Sequence, residues 1–339
     1  MTYQEVLENA KKNLAPACRV CKECNGVACR GEVPGAGGKG TGAAFIRNVE
    51  KLKEITVNMD VLYENKGQDS TVSFWGREFA APVFAAPIGG MEHNYTPALD
   101  EAAWTKSVVD GCADAGVLAF TGDGVKDPLM DLPLQWIKER GGLGVPTIKP
   151  WGVDKVMEKL EKAKASGAVA MAMDVDSAGL PFLAAQGGDA GPKSVEAMTK
   201  IIREAGVPFL IKGVMTVESA EKALKAGAWG IVVSNHGGRV LDHTPATCEV
   251  LPVIREAVGD RMKVFVDGGV RSGVDVFKML ALGADAVLIG RPVVTAAYGG
   301  KAEGVKLYME QIIAQLRDTM KMTGCATLAD ITPAKINRP

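Results

Sequence analysis

The chain has almost no surplus of charge. Against 40 acidic residues it sets 39 basic ones, a formal net charge of -1 over 339 residues. Without a basic excess there is no electrostatic footprint for nucleic acid. It has no apolar run long enough to span a bilayer. Its opening, MTYQEVLENAKKNLA, is charged and amphipathic, which predicts a helix ending at Pro16 rather than a signal peptide. A cytoplasmic protein is therefore expected, with no nucleic-acid or membrane partner. Aromatics are few, at 6%, and histidines number three. His93 and His243 sit among polar loop residues and read as surface histidines, with His93 the nearer of the two to a site. Glycine is abundant at 40 residues, as many tight loops around Ala/Val-rich elements would require. Length alone suggests two domains, but α/β barrels of this size occur as one.

The cysteines number seven, an odd count. Cys112, Cys248 and Cys325 lie in apolar contexts and read as core or surface thiols. Disulfides are not expected in a cytosolic chain. Cys18, Cys21, Cys24 and Cys29 lie together, spaced Cys-x2-Cys-x2-Cys-x4-Cys. Thiolates two residues apart can face one metal, so the spacing is close to that of iron–sulfur or zinc sites. Thiols in a Gly-rich lid without metal are the competing reading. The run from Gly35 to Gly42 is then either a mobile lid or a close backbone approach to a ligand.

From residue 54 the pattern becomes regular, dividing the chain into an N-terminal helix with a Cys/Gly-rich segment (1–53) and a second unit (54–339). ITVNMDVLY and STVSFWG alternate like edge strands or a hairpin. Short apolar runs follow at 83–87, 117–121, 145–149, 169–176, 208–212, 230–235, 263–267 and 286–290, separated by helical stretches that often end in glycine. Eight strand–helix units predict an α/β (β/α)8 TIM barrel with an N-terminal Cys/Gly-rich extension. A doubly wound sheet would not need eight.

Barrel strands point their C-termini at one rim. That rim would hold Pro87–Gly90, Thr121, Lys149, Asp174 and Asp176, Lys212, His236 and Arg239, Asp267–Arg271, and Gly290–Arg291. Such charge at six strand ends marks a site. Within IVVSNHGGRVLD, His236 can take a proton near neutral pH. Arg239 can grip a carboxylate with its planar fork. The two glycines between them would let the backbone approach a flat ligand. DGGVRSG after the seventh strand and Gly290-Arg291 after the eighth form a glycine-rich pocket where such barrels hold phosphate.

SNHGGRVLD, VFVDGGVRSGVDVFKMLALGADAVLIGRP and GVKLYMEQIIAQLRDTMKMTGCATLADI resemble the FMN-dependent α-hydroxy acid oxidase and dehydrogenase family, as does FAAPIGG. The resemblance is dense from about residue 205 and looser from 45 to 204. It implies a barrel with FMN at the strand C-termini and oxidation of a 2-hydroxy acid to a 2-oxo acid. It implies Lys212 at the flavin N1/O2 edge, steadying negative charge. It implies His236 as the base, whether hydride or carbanion transfer follows, and Arg239 on the substrate carboxylate. An acid after the fourth strand would orient His236; ungapped matching points to Asp176, with Asp174 a rival. Asp267, Gly268, Gly269, Arg271, Gly290 and Arg291 match the ribityl-phosphate pocket. Pro87, Ile88, Gly89 and Thr121 match flavin-ring contacts, with Ser234 and Lys149 also on the cofactor. Homo-oligomerisation is a further implication.

The departures cluster at the substrate end. The family's N-terminal tyrosine, which helps the arginine, has no counterpart around residues 30–36. A Gln-x-Tyr after the third strand is here Lys149-Pro150-Trp151, which puts a cation near the flavin and an indole, Trp151, near the substrate. The family's long loop between Asp176 and Lys212 is mostly missing. These changes point to a substrate other than glycolate or lactate. A cluster on the four cysteines would favour a dehydrogenase with an electron-acceptor protein over an oxidase. Two other readings remain: a flavin isomerase of the type 2 isopentenyl-diphosphate isomerase kind, against which the His-Gly-Gly-Arg turn argues, and a non-catalytic flavin or metal sensor.

Overall fold

In the computed structural model, residues 1–180, 183, 185 and 189–338 are described. Eight parallel strands occur where the apolar runs lie: β1 (Val83–Ala85), β2 (Phe120–Thr121), β3 (Val145–Ile148), β4 (Met171–Asp174), β5 (Phe209–Val214), β6 (Gly230–Val233), β7 (Lys263–Val266) and β8 (Ala286–Ile289). Each pairs with its sequence neighbour from β2 to β8, and β8 pairs back to β1. A parallel bridge from Ala85 to Ala119 joins the remaining gap, so the sheet closes as a barrel. The strands are short and almost wholly buried, which is why they read as unbroken apolar runs rather than alternating ones.

Between them run helices at Val153–Ala165, Val195–Ala205, Val217–Lys225, Thr247–Val258 and Gly273–Ala281, each close to its sequence expectation. The shortened connection between Asp176 and Lys212 lies partly outside the described residues.

The aromatic residues gather at one place. Phe74 lies 5.2 Å from Phe265, and Trp75 lies 5.1 Å from Trp229, ring centre to ring centre. Phe79 and Phe84 are 5.1 Å apart and edge-on. Phe74 and Phe79 belong to a hairpin of Val72–Phe74 and Arg77–Phe79, which seats its rings on strand residues Phe84 and Phe265, themselves packed on Phe120. The stretch ITVNMDVLY takes no part in this hairpin. Only Thr56–Val57 of it is strand, and it pairs antiparallel with Ile336–Asn337 at the C-terminus.

The first helix, Tyr3–Leu14, ends before Pro16 as expected. It buries Val6, Ala10 and Leu14 against the long helix Arg291–Met322. Asn9 and Asn13 donate to the carbonyls of Gly299 and Tyr298 at 3.3 and 2.8 Å. A second helix, Ala43–Glu54, follows the Gly-rich run and lies over the barrel mouth.

Candidate active site

The turn after β6 is the centre of the mouth. His236, Gly237 and Gly238 have φ of 56, 61 and 78° in succession. A Cβ on Gly237 would stand 2.5 Å from Arg291 Nη1, and one on Gly238 would stand 2.5 Å from the Phe45 backbone nitrogen. The glycines therefore admit the second helix and Arg291, and Gly237 also lines the cavity. Asn48 of that helix locks the turn from behind: its amide donates to Asn235 Oδ1 at 2.8 Å, and Asn235 donates back at 3.1 Å.

His236 Nδ1 lies 3.1 Å from Asp176 Oδ1. Asp174 instead pairs with Lys149, Nζ to Oδ2 at 2.6 Å, so the two rival acids have separate partners. Asp176 reaches the histidine because β5 bulges between Lys212 and Val214. The bulge residue, Gly213, has a φ of 99°, and a Cβ there would lie 2.5 Å from the Asp176 carboxyl carbon. Burial, reinforced by Lys212 and Lys149, holds the His236 pKa well below the usual 6.5, so the imidazole rests neutral. Burial raises Asp176, opposed by Lys212 and Lys149.

Lys212 is buried, donates to Ser234 Oγ at 2.9 Å and lies 3.5 Å from Asp267 Oδ2. Burial pulls its pKa down, but Asp267, Asp176 and Asp174 together leave it raised. It stays a cation, which suits a partner that gains negative charge.

Arg239 is buried too. Its Nη1 donates to the Gly35 carbonyl and, at 3.4 Å, to that of Gly37; its Nη2 donates to Asn94 Oδ1 at 2.8 Å. Burial, with Arg291 beside it, pushes its pKa down to about 10. The guanidinium has five N–H donors, so among the described residues the fork retains hydrogens for a carboxylate. Asn94 and the Gly35 carbonyl hold the arginine in place of the tyrosine missing near residues 30–36. Tyr95 lines the same cavity. Neither Asn94 nor Tyr95 was singled out from sequence. Their position just beyond the β1 turn was the available signal.

One cavity takes in Pro87, Ile88, Gly89, Lys149, Lys212, His236 and Arg239, and also Asp267–Gly269, Arg271 and Gly290–Arg291. His93 lines it as well. Ser234 lies behind its wall, fully buried and bonded to Lys212. Thr121 is not on the wall, but its Oγ1 is buried without a partner among the described residues, as is Asp267 Oδ1. Trp151 is not brought to the cavity: its ring is fully buried and its Nε1 donates to Asp123 Oδ2 at 2.7 Å. The sequence reading of Trp151 at the substrate is thereby corrected. An indole N–H needs a partner when buried, and an unforeseen residue, Asp123, supplies it. Lys149 lines the cavity, but its charge is matched by Asp174 rather than left for a substrate.

Among the described residues, the trio Asp174, Asp176 and His236 brings its ligand atoms within 4.8 Å of one another. Lys149 and Lys212 beside it already supply the positive charge. The four N-terminal cysteines form no such group. All four line a second cavity.

A parallel barrel whose C-terminal mouth gathers a histidine paired with an aspartate, a buried lysine and two arginines beside a glycine-rich turn has the architecture of a flavin-dependent barrel protein. The chain belongs to the FMN-dependent dehydrogenase family, whose sequence profile matches residues 35–186 and 189–338. It is 50% identical over 126 residues to a peroxisomal (S)-2-hydroxyacid oxidase of Arabidopsis thaliana, covering 37% of this chain and 35% of that protein. It is 47% identical over 148 residues to an L-lactate oxidase of Lactobacillus jensenii, covering 44% and 36%. The matched stretches thus span about a third of those relatives' length. Over the whole chain it resembles the crystal structure of mandelate oxidase with (S)-2-phenylpropionate, at 28% identity and a TM-score of 0.79, covering 99% of this chain and 97% of that one.

The site fits FMN. Asp267 Oδ1, on a residue of the cavity wall, is a buried polar atom with no partner among the described residues. Gly268 and Gly269, with φ of 96 and 82°, set backbone at the phosphate end beside Arg271 and Arg291. Both arginines also anchor the N-terminal segment: Arg271 Nε donates to the Cys24 carbonyl at 2.8 Å, and Arg291 donates to the carbonyls of Ala36 and Gly37 at 2.7 and 2.8 Å. No helix among the described residues is long and apolar enough to cross a membrane.

Proposed function

We propose that this chain oxidises a 2-hydroxy acid to the corresponding 2-oxo acid, with His236 as base and bound FMN supplying the acceptor for the electron pair. The observation that carries the reading is His236, held by Asp176 at its Nδ1, lining one cavity together with Lys212 and Arg239. With Nδ1–H given to Asp176, the Nε2 lone pair is left to take the substrate hydroxyl proton. Asp176 then steadies the imidazolium. Arg239 holds the carboxylate, and Lys212 stabilises the negative charge that accumulates beside it. Nothing favours the isomerase or sensor readings. The named relatives are oxidases, which supports a redox role. A cytoplasmic, reducing setting suits the seven free thiols.

The test is the visible spectrum of the anaerobic flavoprotein during titration with a panel of 2-hydroxy acids. Bleaching of the flavin band by a member of the panel is expected. A flavin that no 2-hydroxy acid bleaches would overturn the reading.

Arg239→Lys is expected to lower kcat/KM about 10- to 100-fold, mostly through KM, because an ammonium replaces part of a bidentate grip with a point charge. Steady-state kinetics at matched FMN content check this. An unchanged KM would place the carboxylate elsewhere.

A further inference from the structure

We infer that Cys18, Cys21, Cys24 and Cys29 hold an iron–sulfur cluster against the phosphate end of the flavin site. All four line a single cavity of about 520 Å³. That cavity shares Tyr95, Gly269, Arg271 and Arg291 with the first one, so the thiol chamber and the flavin chamber have a common wall. The loop is fastened to that wall, since Arg271 Nε donates to the Cys24 carbonyl at 2.8 Å. Arg271 and Arg291 put positive charge on the shared wall of the chamber, while Lys53 is paired with Glu23 and Asp275 also lines it; cationic side chains beside thiols favour the thiolate.

Thiolates 2.3 Å from a single tetrahedral zinc stand about 3.8 Å apart. No three of these cysteine sulfurs lie within 4.8 Å of one another. A cluster in which each thiolate takes a different iron needs the wider set. The run Cys-x2-Cys-x2-Cys is the spacing with which bacterial four-iron sites begin, and Cys29 returns to the same chamber after the bend at Gly26, where φ is 84°. Val20 N–H already points at Cys18 Sγ, 3.5 Å away, as amides do around ligating sulfur.

The redox use of this site rests on the proposed 2-hydroxy acid oxidation; the metal site does not. Oxidising one hydroxy acid to the oxo acid releases two electrons and two protons. A cluster carries one electron at a time. Two passages, each reducing one molecule of a one-electron carrier protein, with both protons released to solvent, return the chain to its starting state.

The test uses the FMN-loaded full chain, purified without oxygen, incubated with ferrous iron and sulfide and then desalted. About four iron and four sulfide per chain are expected, with a low-temperature EPR signal after dithionite reduction. Cys21 is exposed, so Cys21→Ser should keep the fold and FMN content while its EPR signal is lost or altered; Cys24→Ser is the second variant. Background iron and sulfide after reconstitution, zinc at one per chain, or thiols consumed as disulfides would each overturn the proposal. If iron and sulfide bind but no hydroxy acid bleaches the flavin, the site stands and the activity reading fails. Bleaching without iron or sulfide is the converse.

Discussion

His236→Ala is expected to slow anaerobic flavin reduction by 2-hydroxy acids about 10²- to 10⁴-fold, the usual contribution of a positioned base, while FMN remains bound. The imidazole reaches the mouth through a turn that Asn48, Phe45 and Arg291 hold from other elements, so loss of the ring should not collapse the turn. Rapid-mixing absorbance reads the rate, and reduction as fast as in the unaltered chain would remove His236 from the chemistry. The pH dependence has a fixed sign. The base must be neutral, so reduction slows as pH falls through the His236 pKa. Burial, Lys212 and Lys149 hold that pKa well below 6.5, and the acid limb is expected below pH 6.5. Lys149→Met removes one of the depressing charges and should move the limb upward. An acid limb above pH 7 in the unaltered chain would contradict this electrostatic account.

The barrel was legible because each strand is a short apolar run and each helix carries its own periodicity and terminal glycine. The His236–Arg239 turn was legible for the same reason: its chemistry lies within four consecutive residues. What sequence left open depended on partners distant in the chain. Asp174 and Asp176 could not be told apart, because a bulge at Gly213, 37 positions beyond Asp176, decides which reaches the histidine. That the glycines of the turn also make room for Phe45 and Arg291 was not legible, because those residues lie 192 positions before and 54 after Gly237. Whether ITVNMDVLY and STVSFWG were edge strands or a hairpin stayed open, because alternation marks a strand without naming its neighbour. Asn94 and Tyr95 escaped notice because a loop asparagine has no periodicity to betray it. Trp151 was placed at the substrate because sequence cannot show that Asp123 already takes its N–H.

Asp123 is where the second large effect is expected. Its Oδ1 accepts from Lys159 Nζ at 2.8 Å; its Oδ2 accepts from Lys149 N at 3.0 Å and Trp151 Nε1 at 2.7 Å. The side chains of Lys159 and Asp123 are 4% and 1% exposed. Removing the carboxylate strands an ammonium, an indole N–H and the backbone amides of Lys149 and Gly124 in a buried setting. Asp123→Ala is therefore expected to cost about 3–5 kcal/mol, as for other buried pairs broken on one side. Denaturant unfolding of the FMN-loaded chain measures it. The intact pair itself is worth much less, because desolvating both charges offsets most of their attraction. Hence Asp123→Ala combined with Lys159→Met should recover much of the loss, leaving chiefly the indole and amide donors unpaired. If the double variant is as unstable as Asp123→Ala alone, the cost lies in those donors and not in the stranded charge. The arrangement also serves the site: Asp123 fixes the backbone of Lys149, whose ammonium holds Asp174 and leaves Asp176 to the histidine. Asp123→Ala should thus weaken FMN retention as well as the fold, although no atom of Asp123 takes part in the proton transfer.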